Sequence, residues 1–290
     1  MKKQITIFTP TYNRANTLPQ LYQSLCEQDN KDFVWLVVDD GSTDGTSALI
    51  NQWQGEQKIE IDYHQQQNRG KAKAHNKGVM LCKTPLFVCI DSDDYLASPT
   101  VVTDTLRFWN EHAEARRSDV CGMVSYRKMV NGPHAPFPDV KLATLSQLYD
   151  AGYKGETTLV FKTDILRNHP FPEIEGEKFI TEAIVYDRLD TRYKLLVFPY
   201  ESQVCEFRND GITNNGWDVL HKNPKGYRMY YNQLLELGKG PKVYNMKMYI
   251  ACSLLAADGK TFSSCSSKTL LLLLYPLGLY QYHKLRNRKW

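Results

Sequence analysis

The sequence predicts an α/β fold built around a parallel sheet, and three observations carry that reading. Short, near-continuous apolar runs alternate with stretches of helical periodicity, the pattern of strands buried on both faces and joined by crossover helices. The runs at residues 5–9, 33–38 and 86–90 each end in a polar cluster, at residues 10–14, 39–42 and 91–94. The spacing between strand ends fits the usual βαβ unit of about 30 residues.

Residues 5–9 read as a short strand that Pro10 ends. Thr11, Tyr12, Asn13 and Arg14 form a polar loop. Asn16 is placed to cap a helix that tolerates Pro19 in its first turn, and Leu18, Leu21, Tyr22 and Leu25 follow at helical spacing. Residues 33–38 are the second strand, and a helix is expected over 43–53 with Thr43 or Asp44 at its cap. Ile59, Ile61 and Tyr63 alternate, which marks a third strand. Residues 65–70 are a polar loop. Residues 71–81 form a helix whose Ala72, Ala74 and Gly78 permit close packing. The strand at 86–90 completes a βαβαβαβ series with right-handed crossovers. Ligands bind beyond the carboxyl ends of such strands, so the three polar clusters imply one shared site.

Asp91, Asp93 and Asp94 resist burial together, because adjacent carboxylates repel. A divalent cation would offset them. Hard oxygen ligands suit Mg2+ or Mn2+, which also favour diphosphates. The reading without chemistry is that Ser92 or Asp93 caps a following helix.

Further on, residues 106–109 belong to a helix, and 120–126, 157–161 and 194–198 are strands. Residues 132–139 form a Pro- and Gly-rich loop, 171–177 an acidic turn, 181–189 a helix, and 200–215 an irregular polar stretch. From Trp217 the pattern turns helical. The expected division is therefore an α/β domain over 1–215 and a helical extension over 216–290. Residues 270–280 are apolar but fall short of the roughly 20 residues a bilayer span needs, and 283–290 are basic. That tail reads either as an interfacial anchor on an anionic leaflet or as a helix docked on the core with a solvated end.

A net charge of +4 over 290 residues gives no argument for a nucleic-acid partner. The first residues lack the apolar region of a signal peptide. The seven cysteines contain no Cys-x-x-Cys pair, and Cys26, Cys82, Cys89 and Cys252 are expected as small reduced core residues. These features point to the cytoplasm, with peripheral contact on the inner face of the membrane if the tail is an anchor.

Four stretches resemble family 2 glycosyltransferases of the GT-A fold. They are Ile7-Phe8-Thr9-Pro10-Thr11-Tyr12-Asn13-Arg14, Val37-Val38-Asp39-Asp40-Gly41-Ser42-Thr43-Asp44, Asn68-Arg69-Gly70-Lys71-Ala72-Lys73-Ala74-His75-Asn76-Lys77-Gly78 and Ile90-Asp91-Ser92-Asp93-Asp94. Their order and spacing match over residues 5–215. The resemblance implies a Rossmann-like mixed sheet flanked by helices. It implies that Pro10, Thr11 and Tyr12 line a nucleoside pocket with Arg14 at its rim, and that Asp39 and Asp40 bond uracil or ribose. Lys71, at a helix N-terminus, would face the diphosphate. Asp91 and Ser92 would meet ribose or donor sugar, and Asp93, with Asp91, would hold Mn2+ or Mg2+. His75 stands where the family has Arg or Leu. The family's base is acidic and opens a helix some ninety residues later. Glu182 is the first candidate here, although Ala183 replaces the usual Asp, and Glu177 is the second.

The implied activity is transfer of a sugar from a nucleotide-diphosphate donor, UDP-linked by expectation, to a hydroxyl acceptor with inversion. The implied setting is bacterial surface polysaccharide assembly (capsule, O-antigen or lipopolysaccharide) on a glycan or lipid-linked saccharide. A nucleotidyltransferase would want a Gly-rich basic loop after the first strand, where Pro10-Thr11-Tyr12-Asn13 stands. A dinucleotide oxidoreductase would want Gly-x-Gly-x-x-Gly after a strand, which is absent. A non-catalytic sugar-nucleotide binder would keep Asp39 and Asp91 but need no acid at Glu182.

Overall fold

The central strands form where the sequence is most continuously apolar. A computed structural model describes residues 2–129, 136–205 and 216–287. Its first half runs β1 (Ile5–Thr11), α1 (Leu18–Cys26), β2 (Phe33–Asp39), α2 (Thr46–Glu56), β3 (Ile61–Gln65), α3 (Lys71–Leu81) and β4 (Leu86–Cys89). This is the expected βαβαβαβ series. β1 pairs in parallel with β2 on one side and β4 on the other, and β3 adds in parallel to β2.

Alternation along β1 sends Ile5 and Ile7 to one face of the sheet and Thr6 and Phe8 to the other. The first face packs Leu18, Leu21, Leu25, Trp35, Ile50 and Trp53 into one core, with the Tyr22 and Trp53 rings stacked 4.3 Å apart. On the other face Phe8 and Phe87 stack at 5.2 Å, and His75 meets Phe8 edge-on at 5.6 Å. Gly78 lets α3 settle there: a Cβ at that position would overlap the Phe8 ring.

The chain continues through β5 (Tyr95–Leu96), α4 (Val101–Glu111), a 3-10 turn (Ala113–Arg116), β6 (Val120–Met129), β7 (Leu142–Ala143), α5 (Leu145–Asp150), β8 (Glu156–Lys162), α6 (Thr163–Arg167), α7 (Ala183–Leu189) and β9 (Lys194–Cys205). Among the described residues nine strands make one sheet, in the order β3-β2-β1-β4-β8-β6-β9-β5, with β7 on β9. β8 runs antiparallel to both β4 and β6, which makes the sheet mixed. The strand order turns back between β1 and β4, so a crevice is expected beyond their carboxyl ends.

Within the sheet two expectations change. The strand expected to end at Phe198 runs on to Cys205, because β9 keeps pairing with β6 from Tyr126↔Glu201 to Met129↔Cys205 after a register shift. Its polar Ser202 and Gln203 are buried with partners: Ser202 with Ser125 at 2.6 Å, and Gln203 Oε1 with Thr158 Oγ1 at 3.1 Å. After Asp94 the chain enters β5, so no helix starts at Ser92 or Asp93. Residues 132–135 of the expected loop, and 206–215 of the expected irregular stretch, lie outside the described residues.

The chain divides into two compact units, Met1–Phe171 with Val185–Arg208, and Pro172–Ile184 with Asn209–Trp290. The boundary expected at 215 misplaces residues 172–184, which bond with the helices. In this second unit α8 (Gly216–Lys222), α9 (Pro224–Leu237), α10 (Lys242–Ala256) and α11 (Lys268–Arg286) follow one another. Lys178 and Phe179 donate their backbone N–H groups to Asn223 Oδ1, both at 3.0 Å, and Gln233 Nε2 donates to the Ile184 carbonyl at 3.0 Å. Met246, Tyr249 and Ile250 of α10 pack against Leu271 and Leu274 of α11. Gly278 allows that approach, since a Cβ there would strike Ile250. All seven cysteines are free thiols; Cys82 and Cys252 are buried, Cys26 and Cys89 partly so. Among the described residues no helix is long and apolar enough to cross a membrane.

Candidate active site

The loop after β1 is stapled to the loop after β2. Asn13 holds φ at 52°, a left-handed conformation that Asn tolerates better than most residues. Its backbone N–H donates to Ser42 Oγ at 2.9 Å, and its side-chain oxygen accepts from the Thr43 N–H at 2.8 Å. Arg14 N–H donates to Thr46 Oγ1 at 3.0 Å, and Ala15 N–H to Asp44 Oδ2 at 3.2 Å. Pro10 and Thr11 are buried at the tip of β1, while Tyr12 stands 45% exposed. Thr11 Oγ1 is buried and has no hydrogen-bond partner among the described residues.

Asp39 and Asp40 are buried and accept from the protein itself. Asp39 Oδ1 takes the Ser42 N–H at 2.8 Å. Its Oδ2 takes the Tyr63 hydroxyl at 2.8 Å and the Ser47 hydroxyl at 3.2 Å. Asp40 Oδ1 takes Gln66 Nε2 at 2.7 Å and the Arg69 N–H at 2.8 Å, and its Oδ2 takes the Gly70 N–H at 2.7 Å. Gly70 sits at φ 95°, which favours glycine, and is the residue before α3. Asp40 therefore fixes the turn that launches Lys71.

Lys71 Nζ lies 2.7 Å from Asp91 Oδ1. Burial would raise the Asp91 carboxyl, but Lys71 and then Arg127 outweigh it and hold it below the ordinary range. Ser92 is buried and Asp93 is partly exposed. Asp93 makes no hydrogen bond or ion pair among the described residues. Asp94 turns inward: it accepts from Gln203 Nε2 and faces Arg127 NH1 at 3.6 Å. Burial pushes its carboxyl up to about 7 against the pull of Arg127, with Asp91 and Asp93 adding to the rise. Sequence reading missed Arg127 and Gln203. The one signal was a charged residue continuing the apolar strand at 120–126.

Glu177 caps α9: its two carboxylate oxygens accept the Lys225 and Gly226 N–H groups at 2.7 and 2.8 Å. It is 7% exposed, and burial raises its carboxyl above the usual range. Glu182 is exposed one residue before α7.

The sequence profile described as Glycosyl transferase family 2 matches residues 6–163, more than half of the chain. The chain belongs to glycosyl transferase family 2. It is similar to TarS of Staphylococcus aureus, a poly(ribitol-phosphate) β-N-acetylglucosaminyltransferase, with 28% identity over 181 residues. That match covers 59% of this chain but 30% of TarS. The glycosyltransferase GlyA of Streptococcus pneumoniae is 32% identical over 100 residues, 34% of this chain and 14% of GlyA. Among solved structures, TarS residues 1–349 with UDP-GlcNAc align with a TM-score of 0.64 at 18% identity, covering 97% of this chain and 90% of that one. The mannosyltransferase PcManGT of Pyrobaculum calidifontis, with GDP-Man and Mn2+, aligns at 0.56 with 17% identity over 99% and 83%. The fold is GT-A.

For a family 2 chain the donor set bears on the cation. Among the described residues no three His, Cys, Asp or Glu side chains form a metal cluster. Mg2+ and Mn2+ are commonly held by one or two carboxylates together with substrate phosphates rather than by an all-protein cage. Asp93, without a partner among the described residues, and its neighbour Asp91 fit a cation that arrives with a diphosphate.

Proposed function

We propose that the chain transfers a sugar from a nucleotide-diphosphate donor, UDP-linked as in the TarS complex, to a hydroxyl of a bacterial surface glycan, with inversion. One observation supports this most: the first residue of α3, Lys71, is held beside Asp91 by a turn that Asp40 fixes from the tip of β2. An ammonium at a helix N-terminus suits a diphosphate. On binding, the phosphates would replace Asp91 as the partner of Lys71. Tyr12 gives an exposed ring against which a base can stack, and the orphaned Thr11 hydroxyl a group able to bond it. Asp39 and Asp40 act chiefly by shaping these loops.

Asp93 and Asp91 would hold the divalent cation, which when bound supplies Lewis-acid stabilisation of the departing diphosphate. Glu182 takes a proton from the acceptor hydroxyl. That oxygen bonds the anomeric carbon on the face opposite the diphosphate, and the nucleoside diphosphate leaves with the bonding electrons. Glu182 is preferred to Glu177 because the α9 cap occupies both Glu177 oxygens. The TarS name suggests a polyanionic, phosphate-linked acceptor, and we place the reaction in the cytoplasm.

Glu182→Gln should lower turnover about 10²–10⁴-fold while leaving UDP affinity within about twofold. Transfer is read by release of the nucleoside diphosphate from a panel of UDP- and GDP-sugars with Mn2+. Unchanged turnover in Glu182→Gln would remove the base assignment. Donor binding with no turnover by the wild type under any acceptor would make the chain a binder.

A further inference from the structure

The helix α11 is apolar on both of its faces, and only one face is covered. Leu271, Leu274 and Gly278 turn inward. On the outer side Leu272, Leu273, Leu277 and Tyr280 are 62%, 74%, 47% and 67% exposed. A helix apolar all round is ordinarily buried, so this outer face calls for a partner. The last turn of the helix adds His283, Lys284 and Arg286.

Charge selects the partner. Residues 216–287 carry ten Lys and Arg but only three Asp and Glu, whereas residues 1–215 carry 24 basic and 29 acidic side chains. A second copy docking through the same face would set one strongly basic segment against another. A soluble polyanion would use the charge but leave the leucines wet. An anionic bilayer surface satisfies both, since the leucines can enter the acyl boundary while the basic groups meet headgroups. We infer that α11 is an in-plane docking helix for an anionic membrane surface. Its 19 residues span about 28 Å and lie along the surface rather than through it. This inference stands independently of the transferase reading.

The full chain is sedimented with vesicles of phosphatidylcholine alone and with about one third phosphatidylglycerol. The wild type should pellet with the anionic vesicles, and raising salt from about 0.1 M to about 0.5 M should weaken binding. Leu272→Asp with Leu273→Asp should reduce partitioning at least about tenfold, with an unchanged unfolding curve because both side chains are exposed. Lys284→Glu with Arg286→Glu should remove the preference for anionic vesicles. Equal binding to both vesicle types would overturn the inference, as would binding that the leucine variant leaves intact. A wild type that is oligomeric, becomes monomeric in the leucine variant and ignores vesicles would assign the face to self-association instead.

Discussion

Asp40 shows how a motif residue can matter through the backbone it holds. Its carboxylate gathers three donors from Gln66, Arg69 and Gly70. Asp40→Ala would leave the part-buried Arg69 and Gly70 N–H groups without their acceptor, at a cost of about 1 kcal/mol. The turn before α3 would then loosen and Lys71 would lose its fixed position. Urea unfolding should show that loss, and calorimetry should show weaker UDP binding; intact UDP affinity would contradict the role. The sequence made Asp39 and Asp40 legible as strand-tip carboxylates, since an apolar run ends on them. It could not reveal their partners, because Tyr63 and Gly70 lie 24 and 30 residues further on and meet them only through the β2–β3 pairing and the turn into α3. Arg127 was hidden for the same reason: its Asp94 partner lies on a loop from a different strand.

At the scale of elements, packing period decides what is legible. The strands β1, β2 and β4 and the helix α3 follow directly from continuous apolar runs and small-residue spacing. The two-residue strands β5 and β7 are too short to show a period. The second half of β9 reads as loop because Ser202 and Gln203 are buried by pairing with polar partners rather than by apolarity. In the helical unit, Arg228 of α9 grips Asp258 just past α10 through two bonds of 2.6 and 2.8 Å. The Arg228 hydrogen bonds lower the Asp258 carboxyl to about 2. In the unfolded chain an aspartate titrates near 3.9, so the native state binds this proton less readily. The stability that the pair contributes is therefore complete above about pH 4 and declines as pH falls towards 2. Asp258→Asn should be less stable than wild type by about 1–2 kcal/mol at pH 7, a figure reduced for solvent screening. Denaturant unfolding at several pH values should show that gap steady from pH 8 to 5 and narrowing below pH 4. A gap that widens on acidification would refute the pairing.

For the whole molecule, a donor that binds the native state alone should raise its unfolding free energy by about 2.7 kcal/mol at a hundredfold excess over Kd. Mn2+ with a UDP-sugar should stabilise more than either alone, and Asp93→Asn should abolish the increment from the metal while sparing most of that from the nucleotide. Differential scanning fluorimetry reads both; a wild type indifferent to Mn2+ would exclude the carboxylate-bound cation. The path of the chain carries one more consequence. It leaves the sheet at Phe171, visits the helices over residues 172–184, and returns at Val185. No single cut therefore separates a self-sufficient sheet from a self-sufficient bundle. A stop codon near residue 215 would strip Glu177 of its amide partners and the Ile184 carbonyl of its bond from Gln233. In any recombination between relatives, the bundle and the Glu182 loop would have to travel together as one inherited cassette.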